Sequence, residues 1–362
     1  MEGVLLLQVI STLFMTYTTA WRSPSNIALI KYWGKHGLQL PRNPSLSLTL
    51  SACHTRMNVS VTPSAQIPGI HVFYDGQPKP AFEPKIKKLF SFVQDFFPWL
   101  NGAWINIDSL NTFPHGAGIA SSASAMSALA VCLMDINDQI NGVAPQQGPD
   151  KLWWQKASLV ARLGSGSASR SVFPGAALWG HAESIKESSD LFAIPWAEHL
   201  SPLYRDLHDT ILIVSTSEKS VSSTAGHDLM NEHPYAASRY LIAQSNLAQL
   251  CDVMQKDNSF DAFTEIVESE ALQLHALMMG GANPFILMEP GTISIIKEVW
   301  RFRKETGIPV CFTLDAGPNV HLLYPSQHAA NILDWIKNVL SPFCVNGQFI
   351  QDHVGSGPQK IE

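Results

Sequence analysis

Between Ser45 and Ser51 the chain alternates polar and apolar residues without a break: Ser45, Leu46, Ser47, Leu48, Thr49, Leu50, Ser51. A strand puts successive side chains on opposite faces, so this run needs a sheet with one face turned to a core. Arg56 to Val61 repeats the pattern, and Ile70 to Tyr74 runs into the turn pair Asp75-Gly76. Another strand is expected around Trp104 to Ile107. Helical patterns cover about 84–97, 123–136, 151–163, 234–254, 260–279 and 329–340, with strands near 211–214, 310–314 and 320–324. The strands group as antiparallel sets and the helices cluster, which predicts an α+β fold and not a βαβ repeat. We place a lobe boundary between Ile194 and Leu207, where Pro195 and Pro202 interrupt the pattern. That gives an amino-terminal lobe over 21–200 and a carboxy-terminal lobe over 201–362. The polar tail from Asp352 onward is expected to be loose.

Composition removes several function classes. The 362 residues are 46% hydrophobic and 15% charged, the balance of a folded chain rather than a disordered or membrane-embedded one. Lys plus Arg is 24 and Asp plus Glu is 30, a formal charge of −6 with no basic run, which gives no footprint for nucleic acid. Any phosphate must therefore be held by a local pocket and not by a global field. The five cysteines, Cys53, Cys132, Cys251, Cys311 and Cys344, are scattered and form no C-x-x-C pair. That spacing argues against a disulfide framework or structural zinc and for a reducing, cytoplasmic setting. The thirteen histidines show no H-E-x-x-H spacing, and no protein-bound metal is expected. Residues 1–20 form a leader whose apolar run is too short to span a bilayer, so no membrane association is expected. Its first basic residue, Arg22, lies beyond the apolar run, unlike a signal peptide, although Thr19-Ala20 leaves a cleavage site open. We expect translation to begin at Met15, because organised sequence starts around Trp21.

Four segments carry chemistry, each with a bland counterpart. Pro114 to Ser124 contains Gly116, Ala117 and Gly118, then Ser121, Ser122 and Ser124 at the start of a helix. Small residues admit a close backbone approach, and the N–H groups and dipole of a helix start suit phosphate. The plain counterpart is a small-residue helix packed on a sheet, and neither G-x-G-x-x-G nor the P-loop pattern is present. Asn26 to Lys35 ends an apolar strand with Lys31, Tyr32, Trp33, Gly34 and Lys35, which suits a polyanion or else is a strand end with solvated lysines. Ser165, Gly166, Ser167, Ala168, Ser169 and Arg170 combine hydroxyl and backbone donors with a planar guanidinium. A flexible linker fits less well there, because apolar sequence resumes at Val172. Asp315, in Thr313 to Asn319, is either a rigidly held base or only a turn former, and spacing does not decide between them.

Taken in this order, the segments resemble the galactokinase, homoserine kinase and mevalonate kinase superfamily, and within it the diphosphomevalonate decarboxylases. The motifs at 26–35, 165–170 and 312–319 are highly diagnostic, the loop at 114–124 less so, and the likeness spans about Trp21 to Tyr324. It implies a two-lobed α+β fold, with an amino-terminal lobe like ribosomal protein S5 domain 2 and a ferredoxin-like carboxy-terminal lobe. It also implies an active site between the lobes and a homodimer. The implied reaction converts mevalonate 5-diphosphate and ATP to isopentenyl diphosphate, carbon dioxide, ADP and phosphate, with magnesium entering on ATP.

By the same resemblance, Asp315 matches the catalytic aspartate, Arg170 the arginine that holds the substrate carboxylate, and Lys31 a lysine beside the reacting groups. Tyr32 to Lys35, Ser165 to Arg170, and Ser223 with Thr224 match positions that contact the substrate. Gly116, Ala117, Gly118, Ser121, Ser122 and Ser124 would hold the ATP phosphates. The chain departs from the pattern in carrying Ser169 where many members have Cys, and His227 where Gly-Met is common. No counterpart of a substrate-contacting arginine stands between Pro63 and Lys79. The rival functions are a mevalonate 5-phosphate decarboxylase, a mevalonate 3-kinase and a non-catalytic nucleotide or isoprenoid sensor.

Overall fold

The computed structural model describes residues 15–114, 119–143, 149–217, 221, 223–256 and 260–361, so positions 1–14 of the leader lie outside the described residues. The chain opens with β1 (Tyr17–Ala28), a small ribbon of β2 (Lys35–His36) and β3 (Leu40–Pro41), and then β4 (Ser45–Thr62). Next come β5 (Gly69–Tyr74), β6 (Gln77–Pro78), helix α1 (Glu83–Val93) and β7 (Trp104–Asn111). Helices α2 (Ser121–Ile140) and α3 (Lys151–Gly164) precede β8 (Ala176–Trp179) and β9 (Ile194–Pro195). The later part runs α4 (Pro202–Arg205), β10 (Leu207–Leu212), α5 (Ser223–Asp228), α6 (Ala236–Gln255), α7 (Phe260–Gly280) and α8 (Pro290–Thr306). It closes with β11 (Cys311–Thr313), β12 (Val320–Pro325), α9 (Ala329–Trp335), β13 (Phe349–His353) and β14 (Gln359–Lys360).

The expected two-lobed α+β architecture is borne out. One sheet has eight strands in the order β14-β1-β4-β7-β5-β6, with β8 and β9 continuing from β4, and the other is β11-β12-β10-β13. Helices α1, α2 and α3 cover the first sheet. The small side chains Ala123, Ala128 and Ala130 let α2 lie close to it, while Ser23 and Ser127 share a 2.6 Å hydrogen bond across the contact. Helices α8 and α9 pack on the second sheet through Ile295, Val299, Ile332 and Trp335. A third cluster joins Ile27, Leu46 and Leu48 of the first sheet to Ile211, Leu247, Phe263 and Leu323 of the second part. Each large apolar side chain so buried contributes about 1.5–3 kcal/mol, so this shared core holds the lobes at a fixed mutual position. Among the described residues no helix is long and apolar enough to cross a membrane.

Several expectations are corrected. Among the described residues the first strand begins at Tyr17, ahead of Trp21, and Thr19 Oγ1 and Trp21 Nε1 fasten it to the Asp135 carboxylate of α2. The two alternating runs at 45–51 and 56–61 are one strand, and its first six residues are buried on both faces, not one. Helix α8 was not expected from periodicity, although its ends are well marked. Glu289 and Thr292 form a capping box, Pro290 opens the first turn, and Gly307 stops the helix at φ 70°. The last helix is regular only to Trp335 and widens into a π turn over Ile336–Leu340.

The tail beyond Asp352 is not loose. Where β1 shifts register between Pro24 and Asn26, its partner β4 bulges out of the ladder. The N–H groups of Ser51, Ala52 and Cys53 then donate to the Asp352 carboxylate at 2.8, 2.7 and 2.7 Å. Gly355 N donates to Thr49 O at 2.7 Å, and β14 pairs with β1 through Trp21 and Arg22. A carboxylate that accepts three backbone donors is compact enough to replace a missing strand. Asp352→Ala would strand those donors, and we expect it to cost about 3 kcal/mol or more. Urea unfolding of the full chain checks this, and an unchanged midpoint would show that the bulge does not need its acid.

Candidate active site

A cleft of about 450 Å³ opens where the end of β1, the start of α2, the segment after α3 and the turn after β11 meet. Five cations line it, Lys31, Lys35, Lys85, Lys88 and Arg170, with Asp315 the one carboxylate among its lining residues. The chain as a whole is acidic, so this positive field is local, and it suits a ligand with several negative charges.

Lys31 lies at its floor. Past Ala28 the strand ends, and the side chain turns back so that Nζ donates to Ala28 O at 2.5 Å and to Asp315 Oδ1 at 3.2 Å. The lysine is 1% exposed. Burial lowers its pKa, while the charge and hydrogen bond of Asp315, and then Glu270, act to raise it. An ammonium out of water is tolerated only beside such an acid.

The Asp315 turn is closed by its backbone and by two neighbouring side chains. Gly317 N donates to Asp315 O at 2.7 Å, Thr292 Oγ1 donates to Pro318 O at 2.6 Å, and Asn319 exchanges hydrogen bonds with the Ser215 backbone. The carboxylate also meets Lys31, a contact that turn formation alone does not require.

Arg170 sits in a seven-residue 3-10 segment, Gly166–Val172, 2% exposed. Its Nη1 donates to Ser45 Oγ at 2.5 Å, Nε to Ser47 Oγ at 3.1 Å, and Nη2 to Asn26 Oδ1 at 3.3 Å. The polar face of the alternating run in β4 is therefore the seat of this guanidinium. All these acceptors are neutral, and burial pushes the pKa of Arg170 down to about 10 against the pull of Asp315. A buried cation held only by neutral oxygens is electrostatically incomplete, which makes the place favourable for an anion.

The rest of the cleft is built by close approach. The Tyr32 ring lies 4.7 Å from Trp179 and 4.3 Å from His227 by ring centroids, and burial pushes its hydroxyl pKa up. A Cβ at Gly166 would come within 2.8 Å of Trp179 and 2.9 Å of Tyr32 Oη, so only glycine fits there. Gly34 takes φ 91°, and its N–H donates to His227 Nδ1 at 3.0 Å. Tyr32 Oη, Trp33 Nε1 and Ser121 Oγ are buried and make no hydrogen bond among the described residues. Ser122 joins Ser165 at 3.1 Å across the lip. Ser121 is not among the lining residues; the Ser122 and Tyr32 hydroxyls, with Asp315, offer the hard oxygen donors and the anion-binding surroundings that a magnesium nucleotide requires.

Not every expected residue faces the cleft. Ser124 is fully buried against Thr55 Oγ1 at 2.7 Å and anchors α2 to β4. Ala168 and Ser169 are buried behind the segment, where Ser169 Oγ donates to Gly166 O at 2.8 Å. Helical periodicity turns them to the core while Ser165, Gly166, Ser167 and Arg170 line the cleft. Gly116, Ala117 and Gly118 lie outside the described residues, as do the side chains of Ser223 and Thr224 at the start of α5.

Sequence reasoning passed over Lys85 and Lys88 of α1, which line the opposite wall. Their i, i+3 spacing puts them on one face, but a solvated helix face has the same pattern. It also passed over Glu270, although Phe263, Val267, Glu270 and Leu274 share the apolar spacing of α7, and an acid in such a stripe signals a buried partner. That partner is Arg239, bound at 2.6 Å.

Comparison with known proteins finds one family over most of the chain. Residues 23–191 match a family model described as the diphosphomevalonate decarboxylase-like N-terminal domain, and residues 210–360 match the mevalonate 5-diphosphate decarboxylase C-terminal domain. A diphosphomevalonate decarboxylase of Ganoderma lucidum is 31% identical over 360 residues, covering 91% of this chain and 86% of that protein. The crystal structure of mevalonate diphosphate decarboxylase from Staphylococcus aureus superposes with a TM-score of 0.81 at 29% identity, over 96% of this chain and 99% of that one. A structure described as MDDEF in complex with MVAPP, AMPPCP and magnesium gives 0.79 at 28% identity, over 96% and 100%.

His227 supplies a test of the site's electrostatics. Burial, and next the charge of Lys35, lower its pKa from 6.5 to about 3, so the folded chain keeps this imidazole neutral. The unfolded chain protonates it below its ordinary value, so the folded state loses stability as pH falls through that value towards the depressed one. Between pH 7 and pH 5 this residue should account for about 2 kcal/mol. Urea unfolding of the wild type and His227→Gln at both pH values checks it: the wild type should lose that much more than the variant. Equal losses would mean that the ring titrates normally.

Proposed function

The chain belongs to the diphosphomevalonate decarboxylase family, and on that premise we propose that it converts mevalonate 5-diphosphate and ATP to isopentenyl diphosphate, carbon dioxide, ADP and phosphate. The single observation that carries this reading is the meeting of a buried ammonium, a buried guanidinium and a lone carboxylate in one cleft whose other charges are lysines.

The chemistry needs those three groups. Hydroxide is a poor leaving group on a tertiary carbon, so the alcohol is first converted to a phosphate ester. Asp315 orients the tertiary hydroxyl and accepts its proton as the oxygen attacks the γ-phosphorus of ATP and the bond to ADP breaks. Lys31, 3.2 Å from that carboxylate, offsets charge on the phosphoryl group in transit. The new ester then departs as phosphate, leaving carbocation character beside the substrate carboxylate. The electron pair of the bond to that carboxylate moves in to form the double bond, and carbon dioxide leaves. Arg170 holds the carboxylate by its edge, and the neutral acceptors behind the guanidinium keep the whole of its charge available for this. When bound, magnesium would supply charge neutralisation to the ATP phosphates, and Ser122 and Asp315, which line the cleft, are the side chains suited to reach it.

The reaction is tested by presenting mevalonate, its 5-phosphate and its 5-diphosphate in turn with magnesium ATP and following ADP and carbon dioxide. Both products are expected from the diphosphate. ADP alone would make the protein a kinase, gas from the monophosphate alone a monophosphate decarboxylase, and neither product a sensor. Asp315→Asn should lower kcat by at least about 100-fold and leave ATP affinity within a few-fold, because the group acts in the transition state. An unchanged kcat would remove Asp315 from this role.

Lys85 and Lys88 favour the diphosphate over the monophosphate, since one phosphate does not need the charge of a second wall. Lys85→Met and Lys88→Met should each raise KM for the diphosphate about tenfold, a loss of about 1.4 kcal/mol, with kcat within twofold. Steady-state kinetics at fixed ATP decide this, and an unmoved KM would free these lysines of the substrate. The same reading carries a cytoplasmic homodimer; the five free, buried cysteines fit a reducing compartment.

A further inference from the structure

The peptide of Lys31 lies beyond the end of β1, so its N–H and carbonyl have no place in the ladder. Both are bound by one buried ion pair from the other half of the chain, and the carbonyl also accepts from Asn43 Nδ2 at 3.0 Å. Lys31 N donates to Glu270 Oε2 at 2.8 Å, and Arg239 Nη2 donates to Lys31 O at 3.0 Å. Arg239 holds Glu270 by both arms, Nη1 to Oε1 at 2.7 Å and Nη2 to Oε2 at 2.6 Å. The two residues are 2% and 0% exposed. Asn246 Nδ2 donates to Glu270 Oε1 at 2.7 Å, so the acid's second oxygen is also engaged. In the same helix α7, His275 Nε2 lies 3.1 Å from the carbonyl oxygen of Asp315. A carbonyl only accepts, so Nε2 carries the hydrogen.

From this we propose that Arg239 and Glu270 are positioning residues, and that α7 is the common support that sets the distance between Lys31 and Asp315. The inference rests on the decarboxylase reading for the meaning of that distance, but the clamp itself stands apart from it. A buried ion pair is a poor means of filling a core, because well-packed apolar residues do so at equal or lower free energy. This one matches the backbone donor and acceptor of a single residue, the one whose side chain meets Asp315. The guanidinium fork and the carboxylate fix direction as well as distance, which an apolar contact cannot do. Misplacing a reacting group by about 1 Å can cost about 100-fold in rate.

The test uses the full chain. Arg239→Met with Glu270→Leu removes both charges together, so neither is left buried and unpaired. The folded double variant should lose between about 10-fold and 100-fold in kcat, with KM for both substrates within threefold. In a Lys31→Met background the same two changes should add less than threefold, because they act through Lys31. A full further loss in that background would mean a merely structural role and would overturn the proposal. Should the double variant fail to fold, Arg239→Lys keeps the charge but not the fork and is expected to show the same fall in kcat at steady KM; unchanged kinetics would again overturn it. Absence of turnover in the wild type would defeat the decarboxylase reading and not this one. The separation of Lys31 Nζ and Asp315 Oδ1 in a crystal structure of the folded variant then decides, with lengthening past about 4 Å expected and retention of 3.2 Å overturning the clamp.

Discussion

An ammonium and a carboxylate that meet at 3.2 Å, with the lysine side chain 2% exposed, are the constraint around which this molecule is organised. Removing a lysine from water is unfavourable by several kcal/mol unless an acid is held beside it in good geometry. The partners come from the end of the first strand and from a turn 284 residues later, so the pair forms only when both sheets and their shared core are assembled. The turn of Asp315 is tied by Thr292 and Asn319, and the peptide of Lys31 by Glu270 and Arg239. Each group is fixed by its backbone, which leaves the side chains available for chemistry.

A second cation is handled in the opposite way. Arg170 is equally buried, yet its hydrogen bonds run to Ser45, Ser47 and Asn26, none of them charged. Lys31 is thus neutralised by the protein and Arg170 is left for a ligand. That difference follows from what each strand presents: the end of β1 faces an acid from the far lobe, whereas the polar side of β4 offers only hydroxyls. In the proposed reaction a substrate carboxylate would complete the second arrangement, and a transferring phosphoryl group would perturb the first.

Much of this was legible in the chain before folding. The alternation at 45–51 announced a strand, and the three diagnostic motifs announced the family and the residues that line the cleft. What the alternation did not disclose was that its polar face is internal, because burial of a serine depends on whether a guanidinium arrives opposite it. Asp352 read as part of a loose polar tail for the same reason: its partners are the N–H groups of a bulge 300 residues away, and backbone donors leave no mark in a sequence. Lys85 and Lys88 drew no reading, because their spacing is equally that of a solvated helix face, and only the packing of α1 beside the cleft makes them part of a wall. Ser124 and Ser169 were read as ligand contacts because spacing alone does not say which side of a turn faces solvent.

By itself, then, the sequence determined the α+β class, most of the longer elements and the identity of the chemical groups, since these depend on periodicity and on residue type within a few positions. The tertiary structure alone decided which of those groups are charged neighbours, which are sealed in the core and which are left incomplete. The physical reason is that electrostatic energy depends on distance and on exclusion of water, and both are set by contacts between residues hundreds of positions apart.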